Sequence, residues 1–82
     1  MRTEKEILKD FEKLGYEIQE NSVNKIYMRK KNGTVLSIIK FESDTWKKGY
    51  RKYDVKEDFL ALIVTMEEHK LLTDLFKIWR WL

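Results

Sequence analysis

The sequence predicts an α+β domain: an antiparallel sheet of four to five strands, with an N-terminal and a C-terminal helix packed on one of its faces. Three observations predict it. Segments near both ends of the chain open with a helix-capping signature and continue with apolar residues at helical spacing. An Asn32-Gly33 pair lies between two β-rich runs, a strong short-range hairpin signal. Finally, the 82 residues are 43% hydrophobic, with three tryptophans, four tyrosines and four phenylalanines, which suits a folded chain with a modest core. Residues 1–82 read as a single domain, since no proline- or serine-rich linker, repeat or low-complexity tract divides them.

The first helix is expected over residues 3–14. Thr3 and Glu6 form a capping box, in which each side chain accepts from the other's backbone N–H. Ile7, Leu8, Phe11 and Leu14 then supply an apolar stripe, and Gly15 with Tyr16 fits a left-handed stop followed by an apolar residue. A helix this short is marginal alone in water, so it needs a sheet or its C-terminal counterpart to lie against.

Residues 16–20 read as a short strand, with Tyr16 and Ile18 on one side. A hairpin follows, built from residues 23–31 and 34–42. A two-residue turn at Asn32-Gly33 places Lys31 opposite Thr34. That register puts Ile26, Met28, Val35, Ser37, Ile39 and Phe41 on the core face. The other face, with Lys25, Tyr27, Arg29, Leu36, Ile38 and Lys40, is mixed and expected to be exposed or partly covered.

Residues 43–54 are harder to place. Asp44-Thr45 and Gly49 are turn signals, and residues 50–55 fit a strand in which Tyr50, Lys52 and Asp54 alternate with Arg51, Tyr53 and Val55. The apolar run 59–64, with β-branched Ile63 and Val64 at its end, reads as a buried strand. The rival assignment is one long helix over residues 58–81. Against it stands a second capping box at Thr65 and Glu68, which marks a helix start. Leu71, Leu72, Leu75, Phe76, Ile78, Trp79 and Leu82 fall on one arc of that helix. Trp81 lands on the polar side, beside Lys70, Asp74 and Lys77. Either it folds over the edge of its own domain at a fraying end, or it is an anchor that faces a partner.

Little here supports catalysis. The chain has no cysteine, which removes disulfides and thiolate metal sites. Its one histidine, His69, has only Glu67, Glu68 and Thr73 as helix neighbours, and three glycines scattered at 15, 33 and 49 make no phosphate-cradling loop. No enzymatic activity, cofactor or metal site is therefore expected. Residues 1–13 are charged throughout, unlike a signal peptide, and no apolar run approaches the roughly 20 residues of a membrane helix. The expectation is a cytoplasmic protein with no membrane partner.

Charge points to the surface instead. The net charge is only +3, but residues 25–31 and residues 46–53 each carry four positive charges and no negative one. In the second stretch Trp46, Tyr50 and Tyr53 interleave with Lys47, Lys48, Arg51 and Lys52, a combination that stacks bases while neutralising phosphates. The same pattern also arises on plain solvent-facing strands, where tyrosine is a good strand former. The partner-binding residues expected from sequence are thus Trp46, Lys47, Lys48, Tyr50, Arg51, Lys52 and Tyr53, the hairpin-tip cations Arg29, Lys30 and Lys31, and Trp81.

The string T-x-E-E-H-K-L-L-T-x-L-F-K-x-W-x-W-L over residues 65–82 resembles the C-terminus of small accessory proteins encoded by phages and prophages of Firmicutes. Residues 5–18, with K-x-F-E-K-L-G-Y-E, are similar in style. Thirteen lysines against four arginines also suit an A/T-rich genome. The resemblance covers about a third of the chain and transfers no binding residue. It implies a protein that acts by occupying a surface, such as an anti-CRISPR-type inhibitor of a bacterial defence nuclease. The function expected is a non-enzymatic protein-interaction module, monomeric or homodimeric, with a host or phage protein as partner. The alternative is a small nucleic-acid-binding protein that uses a basic-aromatic surface.

Overall fold

The computed structural model describes residues 2–40 and 49–79. Along the chain run α1 (Glu4–Lys13), β1 (Glu17–Asn21), β2 (Lys25–Arg29), β3 (Thr34–Ile39), β4 (Gly49–Asp54), a 3₁₀ turn (Val55–Glu57), β5 (Leu60–Ala61) and α2 (Met66–Ile78). The strands form one antiparallel sheet in the order β1-β2-β3-β4-β5, each hydrogen-bonded to its sequence neighbour. This is the α+β architecture expected, with both helices on one face.

Both capping boxes form. Thr3 Oγ1 accepts from Glu6 N–H at 3.2 Å, and Glu6 Oε1 accepts from Thr3 N–H at 3.1 Å. In α2, Thr65 Oγ1 accepts from Glu68 N–H at 3.2 Å while Glu68 Oε1 accepts from Thr65 N–H at 2.7 Å. Thr65 itself is extended, at φ −73° and ψ 167°. The rival helix over residues 58–81 is thereby ruled out, because it would have to run through a non-helical residue. At the end of α1, Gly15 takes φ 101°. Its N–H reaches Glu12 O at 2.9 Å and the Tyr16 N–H reaches Phe11 O at 3.2 Å, which together satisfy the last carbonyls of the helix.

The helices lie antiparallel. The N-terminal end of α1 meets the C-terminal end of α2 through Trp79 Nε1, which donates to Glu4 Oε1 at 2.9 Å. The other ends meet where the Tyr16 hydroxyl donates to Glu68. Between them, Arg2 pairs with Asp10 and lies 3.8 Å from Asp74. Ile7, Leu8 and Phe11 of α1 and Leu71, Leu72 and Leu75 of α2 bury against Ile26, Met28, Leu36 and Ile38 of the sheet. Full burial of such a side chain stabilises the fold by about 1.5–3 kcal/mol.

The hairpin register differs from the sequence expectation by one residue. Lys30, not Lys31, pairs with Thr34, its N–H donating to Thr34 O at 2.8 Å, and the ladder continues as Arg29↔Val35, Met28↔Leu36 and Tyr27↔Ser37. The loop is therefore Lys31-Asn32-Gly33. Gly33 N–H closes a turn on Lys30 O at 3.1 Å, Gly33 takes φ 101°, and Asn32 Oδ1 accepts from Thr34 N–H at 3.0 Å. A turn followed by a left-handed glycine is the usual three-residue hairpin connection. One residue of slip exchanges the faces. Leu36 and Ile38 join the core beneath the helices, whereas Val35, Ser37 and Ile39 lie on the opposite face, where Val35 is nonetheless fully buried as expected; Phe41 falls outside the described residues.

Three further expectations are corrected. Val23 is not part of the strand but stands in the turn before β2, 82% exposed. Val55 belongs to the 3₁₀ turn rather than to the strand before it. The buried strand expected at residues 59–64 is only the two-residue edge strand Leu60–Ala61; Phe59 and Ile63 face outward, 66% and 90% exposed, while Val64 packs against the core.

Candidate interaction surface

Strand alternation divides the basic-aromatic stretch between two faces. In β4, Tyr50, Lys52 and Asp54 pair with Ile38, Leu36 and Thr34, and so share the face that the helices cover. Arg51 and Tyr53 pair with Ser37 and Val35 and project from the other face, on which neither helix lies. The predicted contact residue Lys52 is consequently lost to the surface. Its side chain is almost wholly enclosed, and Nζ donates to Glu68 Oε1 at 2.8 Å and to Ile63 O at 3.2 Å. Tyr50 sits at the margin, half exposed, with its ring stacked on Phe76 at 6.2 Å.

Glu68 is the hub of that buried side. It accepts from Lys52, from the Thr65 N–H and from the Tyr16 hydroxyl. Burial pushes its carboxyl up, but the hydrogen bonds from Lys52, Thr65 and Tyr16 and the Lys52 charge outweigh burial and hold it down at about 2. Burial, then the hydrogen bond to the Glu68 carboxylate, push Tyr16 well above the usual phenol range. These groups are saturated with partners and turned inward, so they form a structural brace between β4, α2 and the loop after α1.

The face on which neither helix lies, called the uncovered face below, assembles what lay scattered in the chain. The register aligns Glu17, Arg29, Val35, Tyr53 and Ala61 across all five strands, and Glu20, Tyr27, Ser37 and Arg51 in the next row. Lys25 and Ile39 pair in the row beyond. Tyr27 and Tyr53 stand in neighbouring rows on either side of β3. Burial, then the nearby Tyr27 hydroxyl, push the Tyr53 hydroxyl up, while Arg51 and Arg29 pull it down. Lys25 Nζ stands 5.8 Å from the Tyr27 ring centre, close enough for a cation–π contact. Val35, fully buried, lies between Arg29 and Tyr53 at the centre.

Phe59 completes the surface by an unusual route. Asp58 and Phe59 both take positive φ, 55° and 60°, which for a bulky side chain is an uncommon and strained backbone. The conformation brings the Phe59 ring to 5.3 Å from Tyr53 while leaving it mostly exposed. Arg51, Tyr53, Phe59 and Ala61 line a depression of about 360 Å³.

Of the residues expected from sequence, Arg29, Arg51 and Tyr53 are brought together. Lys31 is exposed at the hairpin tip, and Lys30 lies over the Tyr16 ring at 4.7 Å, at the helix side of the sheet. Trp46, Lys47, Lys48 and Trp81 fall outside the described residues. Tyr27, Lys25 and Phe59 lie outside the set expected from sequence. A signal for the first two exists, since K-x-Y-x-R over residues 25–29 shares its alternation with R-x-Y over residues 51–53. Phe59 carried none, because its exposure depends on backbone dihedrals that an apolar run does not announce.

His69 is exposed on α2. Among the described residues no three His, Asp or Glu side chains are grouped to hold a metal ion, and no helix is long and apolar enough to cross a membrane. No protein-family model, curated protein or solved structure matches the chain. The surface is therefore read from its own chemistry.

Proposed function

We propose that the protein is a non-enzymatic binding module that engages a macromolecular partner through the uncovered face of its sheet. The observation that supports this reading is the convergence of Tyr27, Tyr53 and Phe59 with Lys25, Arg29 and Arg51 on a face free of helices. Aromatic and arginine side chains are the types most enriched among binding hot spots. Holding Phe59 exposed on a strained backbone costs stability, of order 1–3 kcal/mol, which a purely structural loop has no need to bear. Inhibition of a host defence nuclease, as the resemblance implies, would be one instance of such a module, because occupying a surface requires no reactive group.

The test is capture from a bacterial lysate by the immobilised protein, with bound protein and nucleic acid both measured. The double substitution Arg29→Glu and Arg51→Glu reverses the charge of the face at two exposed positions. Loss of the captured partner, with circular dichroism unchanged, is the expected outcome. Undiminished capture by the folded double variant would remove this face from the proposal.

A further inference from the structure

We infer that the ligand of the uncovered face is single-stranded nucleic acid, its bases stacked on Tyr53, Phe59 and Tyr27 and its phosphates held by Arg51, Arg29 and Lys25. The inference rests on the binding-module reading above and names its partner class. Stacking on aromatic side chains beside a cationic track is the sequence-tolerant way to hold a single strand, because every base has a π-face. A four-stranded sheet bearing aromatics on its open face is also a general solution for exposing them to unpaired bases.

The described residues supply both halves of that chemistry in one place. Tyr53 and Phe59 are 5.3 Å apart at a tilt of 43°, with Arg51 beside them in the same depression. Tyr27 lies across β3 from Tyr53, and Arg29 and Arg51 both act on the Tyr53 hydroxyl. Among the described strand residues, the acids on this face are Glu17 and Glu20 of the outer strand β1, paired with Arg29 and Tyr27. A polyanion is thereby kept off that edge and directed toward β4, where the aromatic pair lies. A carboxylate-rich polypeptide would use the same cations, but nucleic acid brings a flat ring with every phosphate, and that repeated pairing is what the interleaved aromatic and cationic residues match. A duplex hides its base faces and would be bound through phosphates alone.

The experiment is fluorescence anisotropy with labelled twelve-residue oligothymidylate, an RNA strand of equal length, the corresponding duplex, and polyglutamate as a base-free polyanion. Single strands are expected to bind more tightly than duplex or polyglutamate. With three phosphate contacts, log affinity should fall against log salt with a slope of about −2. Tyr53→Leu and Phe59→Ala should each weaken binding roughly tenfold, while Arg51→Gln should flatten the salt slope. Phe59 and Arg51 are exposed, so their variants test the site without disturbing the core. DNA and RNA bound alike would assign the recognition to bases and phosphates; RNA alone would add the 2′-hydroxyl.

Absence of any complex at low salt would overturn the inference, as would polyglutamate binding equally well or an affinity indifferent to both aromatic substitutions. If single strands fail while lysate capture still depends on Arg29 and Arg51, the nucleic-acid inference falls alone. If capture is indifferent as well, the face itself is not the binding surface.

Discussion

Glu68 shows how a single carboxylate joins the two layers. Its two oxygens take hydrogen bonds from Lys52, Thr65 and Tyr16, which tie β4, the start of α2 and the loop after α1 to one point. A buried charge of this kind is tolerable only while paired. Lys52→Met should therefore destabilise the fold by about 3 kcal/mol, because it strands Glu68 without its cation, and urea unfolding at neutral pH measures that loss. The pH dependence follows from the lowered carboxyl. A group ordinarily near 4.5 and held at about 2 in the folded chain contributes stability that is complete above 4.5 and lost as pH falls from there toward 2. The wild-type protein should lose stability across that window, and Glu68→Gln should flatten that part of the profile. An identical acid limb in Glu68→Gln would show that other carboxylates dominate it. The two left-handed glycines make a second comparison. A Cβ on Gly15 would meet nothing within 4 Å, whereas on Gly33 it would stand 2.9 Å from Asp54 Oδ1 and 3.0 Å from Lys56 Cγ. Gly15→Ala should cost about 1–2 kcal/mol, the backbone penalty alone. Gly33→Ala should cost more, and equal losses in thermal unfolding would refute the steric part of that account.

Among the elements, the helices were legible because their instructions are local. Thr3–Glu6 and Thr65–Glu68 each specify a helix start within four residues, and Gly15 with Tyr16 specifies a stop. The hairpin was legible as a hairpin but not in its register. Asn-Gly suits both a two-residue loop and the end of a three-residue one, and the run Val35-Leu36-Ser37-Ile38-Ile39 is apolar on either alternation. What decides between them is tertiary: Leu36 and Ile38 pack under Ile7, Phe11 and Leu72, partners that the strand itself does not reveal. That same slip moved Leu36 and Ile38 off the face where Tyr27 and Arg29 stand, so the proposed interaction surface was only half visible. The apolar run at residues 59–64 failed for a different reason. Phe59, Leu60 and Ile63 lie at the surface and only Val64 of the run packs against the core, a division that no burial argument anticipates. The observed register carries its own test. Leu36→Ala should cost about 2–5 kcal/mol as a core cavity, and Ile39→Ala, partly exposed on the other face, less than half as much. Under the slipped register the two losses would be reversed.

At the scale of the whole molecule, the fold separates what stabilises from what is displayed. Helices, core and the Glu68–Lys52 brace occupy one side of the sheet, and the aromatic-cationic surface occupies the other, with β3 as the shared wall. A substitution on the displayed side can thus alter binding while leaving folding nearly untouched. Phe59 is the sharpest case, because its own backbone opposes its presence. Replacing it with glycine relieves strain of order 1–3 kcal/mol at φ 60°. The same change loosens the unfolded chain by roughly 0.5–1 kcal/mol and forfeits the ring contact with Tyr53. These effects nearly cancel, so Phe59→Gly should unfold within about 1 kcal/mol of the parent protein. Its capacity to hold a partner at the uncovered face should nevertheless fall, since the ring that flanks Tyr53 is gone. Thermal unfolding and oligonucleotide anisotropy on one preparation measure both quantities. A variant that lost several kcal/mol of stability would show that Phe59 belongs to the core's support, and that its strained placement serves the fold rather than the surface.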